Sequence, residues 1–97
     1  MFKVVFKDGA AEDISISVAY YDDELGRPDL TELFYQELYD ARDKLCANPQ
    51  FYSFLESEPL LRFVRFKKLS FNIIFEIIGD DEVHIYAVRH TSRLPFV

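Results

Sequence analysis

The 97-residue sequence contains no tryptophan, one methionine, three glycines, four prolines and one cysteine. A lone cysteine, Cys46, cannot close an internal disulfide, which excludes a disulfide-stapled secreted scaffold. Two histidines and Cys46, far apart in sequence, make no metal-ligand spacing, so neither a metal nor a cofactor is expected. Gly9 and Gly26 read as turn glycines, and no phosphate-cradling loop is present. No apolar run approaches the ~20 residues of a membrane span. The chain opens on a strand-like segment rather than a basic stretch followed by an apolar one, so no signal peptide is read. With no repeat, linker or low-complexity stretch, the expectation is a single soluble cytoplasmic domain over residues 1–97.

What is abundant is apolar and acidic. Hydrophobic residues make up 49% of the chain, enough for a core of its own. Ten Phe and six Tyr are many for this length, and exposed aromatic surface usually meets a partner. The net charge is −6, opposite to that of a protein that works mainly by gripping phosphates. The charge is also uneven. Residues 1–57 carry 12 acids and 5 bases, whereas residues 58–97 carry 5 acids and 6 bases.

Phe2–Lys7 reads as a short strand. Asp8 is then a candidate N-cap, and the period changes: Ala11, Ile14, Val18, Tyr21 and Leu25 form one helical stripe that ends at Gly26-Arg27-Pro28. A second helix starts at Asp29, with Glu32 completing a capping box. Its apolar stripe is Leu30, Phe34, Leu38, Ala41 and Leu45, and Asn48-Pro49 stops it. Residues 51–55 fit one turn of helix. Strands follow near 61–68, 71–78 and 82–89. A two-residue turn at Leu69-Ser70 pairs Phe66 with Ile73, and a three-residue turn at 79–81 pairs Ile77 with Val83 and Ile73 with Ala87. This register gathers Val64, Phe66, Phe71, Ile73, Phe75, Ile77, Val83, Ile85 and Ala87 on one face. The other face is mixed and takes Phe63, Arg65, Lys67, Asn72, Ile74, Glu76, His84, Tyr86, Val88 and His90. The expected class is α+β: an N-terminal strand, an antiparallel helical hairpin, then a three-stranded antiparallel meander. The helices cover one face of a four-stranded sheet.

This order resembles the RelE/ParE superfamily, the toxins of bacterial type II toxin–antitoxin modules. Tyr20-Tyr21-Asp22-Asp23 is similar to the family's Tyr-Tyr-acid-acid stretch, and Leu45 to Pro49 to its Leu-x-x-x-Pro. Arg62 opens a strand followed by Arg65 and Lys67-Lys68. Phe71 to Ile77 resembles the aromatic-x-Ile/Val-x-aromatic strand, and Ala87 to Pro95 the Ala-Val-x-His-x-x-Arg-x-Pro ending. The resemblance implies a toxin, bound and neutralised by a cognate antitoxin. It leaves a homodimer open, and it implies growth inhibition and a role of the plasmid-stabilisation kind.

Two branches of that superfamily frame the chemistry. The ParE-like branch, which the resemblance links to inhibition of DNA gyrase by protein contact, is preferred. The His-x-x-Arg-x-Pro ending, the missing C-terminal Tyr and the net charge favour it. The RelE branch would make the chain a ribosome-dependent mRNA endonuclease. Cleavage by 2′-hydroxyl attack needs a base, an acid and cations for the phosphate. Glu76, His84 and His90 supply the first two, and Arg65, Lys67 and Arg93 the cations. Against this, Glu76 and His84 are near-opposite in the register, where charged pairs simply decorate a solvated face. A third reading is a non-toxic relic that keeps only antitoxin contact. Candidate partner-binding residues are Tyr20, Tyr35, Tyr39 and Tyr52, beside the helical stripes, with Arg62 and Arg93. Residues 8–47 hold 11 acids against 3 bases, so a segment lying on the helices should be positively charged.

Overall fold

The structure is a computed structural model and describes residues 1–91. Strand β1 (Lys3–Phe6) leads into helix α1 (Asp8–Ala19), which continues as a π-helical turn over Tyr20–Glu24. Helix α2 (Pro28–Ala47) follows, then a 3₁₀ turn at Pro49–Phe51 and the meander β2 (Arg62–Arg65), β3 (Phe71–Ile78) and β4 (Glu82–His90). The sheet order is β1-β4-β3-β2. The three meander strands are antiparallel, and β1 joins β4 in parallel, making the sheet mixed.

Both helices are capped earlier than expected, α1 by one residue and α2 by two. Lys7, not Asp8, precedes the first turn of α1, and Asp8 lies inside it, where a carboxylate suits the positive end of the helix dipole. Arg27 precedes α2. The ring of Pro28 holds Arg27 out of the helical region, and Asp29 forms a bidentate pair with Arg27 at 2.9 and 3.0 Å in place of a capping box. Gly9 is not a turn glycine. It sits within α1, where a Cβ would come within 3.0 Å of the Tyr86 carbonyl oxygen, so its missing side chain lets helix and strand approach. Gly26 does turn the chain, at φ +60°. The single turn expected over 51–55 forms earlier, at Pro49–Phe51, and Phe54 instead bridges Arg62.

The core lies between the hairpin and one face of the sheet. Phe34 is fully buried at its centre, with ring centroids of Phe71, Phe66 and Tyr21 at 5.1, 5.6 and 6.3 Å. Leu38, Ala41 and Leu45 continue the α2 stripe against Val64, Ile73, Phe75, Val83 and Ile85.

Two departures from the expected register matter for function. The β2–β3 connection is wider than two residues: Val64 faces Ile73, and the Phe66 N–H donates to Phe71 C=O. The shift is two residues, so the inner face survives. In β4, Ile74 faces Ala87 while Phe75 faces Ile85, which leaves Tyr86 as the extra residue of a β-bulge. Beyond that bulge the faces exchange. Val88 pairs with Ile73 and joins the core, and His90 pairs with Phe71 rather than lying on the far face. On the far face Asn72, Ile74 and Ala87 are buried.

Candidate functional site

The far face of the sheet carries a small polar network. Glu76 and His84 are register partners, as the sequence suggests. The Tyr86 hydroxyl donates to Glu76 Oε1 at 2.7 Å, and this bond pushes the phenol pKa up. His84 Nε2 contacts Glu82 Oε1 at 2.8 Å, which holds the Glu82 carboxyl below its ordinary value. Glu76 is therefore engaged by a phenol and His84 by a second carboxylate. Arg65 is exposed near the other end of this face, opposite Asn72 in the register.

His90 does not join that network. The bulge at Tyr86 turns it toward the helices, where its ring lies 5.4 Å from that of Phe71. There it lines a cleft of about 520 Å³ with Asp13, Ser17, Tyr20 and Tyr21. The π-helical turn sets the near wall, because Tyr20 and Tyr21 are its first two residues. Tyr20 is half-exposed, whereas Tyr21 is buried and its phenol pKa rises with desolvation. Asp13 closes the strand side of the cleft by accepting the Val88 N–H at 3.0 Å. Its carboxylate also lies 3.9 Å from Arg89 Nε. The expected catalytic set is thus split between two faces, and its last member, Arg93, lies outside the described residues.

The aromatic candidates form separate groups. Tyr35 and Tyr39, one turn apart on α2, stack with centroids 6.1 Å apart and planes 19° off parallel. The Arg42 guanidinium lies 5.1 Å from the Tyr39 centroid. Tyr35 also packs edge-on against Phe34, so the pair is anchored in the core and half-open to solvent. Tyr52 packs edge-on against Phe75. Arg62 fastens the neighbouring loop: its guanidinium donates to the Gln50 and Tyr52 carbonyls at 3.2 and 2.7 Å and covers the Phe54 ring at 3.9 Å.

The sequence reading missed Glu37. It is buried on α2, and its carboxylate accepts the backbone N–H groups of Lys67, Lys68 and Leu69 at 2.5–3.1 Å. A signal for it exists. Two-residue hairpin turns need residues at positive φ, usually Gly or Asn, and Leu69-Ser70 is neither. A wider turn leaves amides unmatched, and a buried acid must supply the acceptor.

Among the described residues, no group of three or more His, Cys, Asp or Glu side chains is placed to hold a metal ion. Nor is any helix among them long and apolar enough to cross a membrane.

No family model matches the chain, and no curated protein matches it. A solved structure does. It is a chain of the chromosomal ParDE toxin–antitoxin system from P. aeruginosa, at a TM-score of 0.76 and 19% sequence identity, covering 93% of this chain and 96% of that one. The strand, helical hairpin and meander of this chain thus form a ParE-like fold.

Proposed function

We propose that this chain is the toxin of a type II toxin–antitoxin module, held inactive by a cognate antitoxin, and that it inhibits DNA gyrase by protein contact as ParE-like toxins do. The observation that carries the proposal is the shared fold with the ParDE chain over nearly its whole length. The split of the titratable groups supports the gyrase branch over the RelE-type nuclease. Glu76 and His84 are engaged on one face of the sheet, while His90 sits in a cleft on the other.

Two surfaces suit an antitoxin segment. One is the Tyr35–Tyr39 stack on acidic α2, which fits a segment with apolar anchors and positive charge. The other is the sheet edge at β1. The β2 edge is already occupied: Leu55 N–H donates to Leu61 C=O at 2.8 Å and Phe63 N–H to Ser53 C=O at 3.1 Å. A stable complex buries more than ~1,200 Å².

The test has two stages. Induced alone in bacteria, the gene should arrest growth, and co-expression of the neighbouring small open reading frame should relieve the arrest. In a supercoiling assay the purified protein should inhibit gyrase. Cuts at A-site codons of cellular mRNA, read by primer extension, would transfer the protein to the nuclease branch. Antitoxin binding without any arrest would identify a binding-only relic.

A further inference from the structure

The protein has 11 Lys and Arg side chains, and most are already committed. Arg27 pairs with Asp29, Arg42 with Asp43, and Arg89 lies beside Asp13. Arg62 is spent on two carbonyls and a ring. Lys3 and Lys7 sit close enough to Glu82 to help lower its carboxyl pKa. Apart from Arg93, this leaves Lys44, Arg65, Lys67 and Lys68. Arg65 lies on the far face of the sheet, whereas the three lysines line one small groove between α2 and the β2–β3 turn.

None of the four makes an ion pair among the described residues. The like charges are close: Lys67 beside Lys44 pushes the Lys44 ammonium pKa down. Glu37, the acid beneath them, turns its carboxylate inward onto the Lys67, Lys68 and Leu69 amides. The same clamp fixes the backbone that presents the two lysines. Asp40 is the only other acid lining the groove, and its charge partly offsets the effect of Lys67 on Lys44. The floor is apolar, with Leu33, Val64 and Phe66. A cluster of exposed cations held together on a chain of net −6 waits for an anion.

We propose that this groove docks an acidic peptide segment of a partner protein, its carboxylates bound among Lys44, Lys67 and Lys68. The groove is small, about 90 Å³, which suits a carboxylate side chain. Glu32, Asp40 and Asp43 on α2 would repel a longer polyanion running past it, whereas a short segment ends within the patch. The inference stands apart from the toxin reading, because it rests only on the placement of the cations.

The probe is blocked hexaglutamate, titrated into the ¹⁵N-labelled protein and followed through amide shifts. The expected result is a saturable set of shifts centred on Lys67, Lys68 and Leu69. Combined Lys44→Gln, Lys67→Gln and Lys68→Gln substitution should weaken binding by about tenfold or more, because the cations of the groove are lost. Combined Lys3→Gln and Lys7→Gln should leave it unchanged, which separates the patch from a general loss of positive charge. The substituted side chains are exposed and the Glu37 clamp uses only backbone, so the variants should keep the parent amide spectrum elsewhere. Undiminished binding by the triple variant, shifts spread over the whole surface, or tighter binding of hexauridylate RNA than of hexaglutamate would each overturn the proposal.

Discussion

Glu37 on α2 and Asp13 on α1 both reach from a helix to backbone amides of the sheet, yet they are built differently. Glu37 is buried and takes three N–H groups of one turn, with no cation near its oxygens at ion-pair distance. Asp13 is only partly buried and takes one N–H, that of Val88, beside the Arg89 guanidinium. The first replaces the hydrogen bonds that an unsuited hairpin turn fails to make. The second closes the stretch of β4 that runs on past the end of β1. Losing Glu37 leaves three part-buried donors without their acceptor, whereas losing Asp13 leaves one, the Val88 N–H. One carboxylate is thus built into the packing, and the other covers an edge and lines a cleft.

The largest effect follows from that difference. Glu37→Ala should destabilise the fold by about 3 kcal/mol, since it takes the acceptor from three part-buried amides at once. Glu37→Gln keeps one acceptor oxygen and should cost about half as much. Urea denaturation at neutral pH checks both, and equal losses would mean that the amides need the negative charge rather than an acceptor. Asp13→Ala should cost about 1 kcal/mol, and Asp13→Asn less, because the amide oxygen can still accept from Val88. A loss as large as that of Glu37→Ala would break the comparison. Tyr86→Phe removes the hydrogen bond to Glu76 at a partly exposed site and should cost about 0.5 kcal/mol. It should leave the bulge in place, seen as unchanged amide shifts at Val88.

The smallest effect lies on the acid side. Glu82 titrates below its ordinary value of 4.5 because His84 bonds its charged form. A carboxyl depressed by folding adds stability above its unfolded pKa and loses it as the pH falls through the folded one. Thermal melts from pH 6 to pH 3 should therefore fall slightly less steeply for Glu82→Gln than for the parent. Identical slopes would mean that the exposed pair is screened by solvent.

The legible parts of the fold are those where one pattern had one solution. The α2 stripe from Phe34 to Leu45 was readable because its 3.6-residue period admits a single buried face. The first half of β4 was readable because Val83 and Ile85 alternate with polar residues. The second half was not. Ala87 and Val88 are adjacent and both apolar, so alternation cannot say which one enters the core, and the bulge chooses Val88. That single choice moved His90 away from Glu76 and His84 and divided a site that had looked complete. Glu37 was hidden for another reason: hydropathy places a carboxylate outside, and only the missing turn residues at Leu69-Ser70 argue for an acid within.

The parallel pairing of β1 with β4 has a consequence for how the chain comes into being. Residues 3–6 are made long before their partners 82–85. During synthesis β1 has no neighbour to join until β4 has left the ribosome. Contacts of such long sequence separation form slowly. Completion of the sheet is thereby tied to the synthesis of β4, and a product that stops before β4 lacks the element that anchors β1.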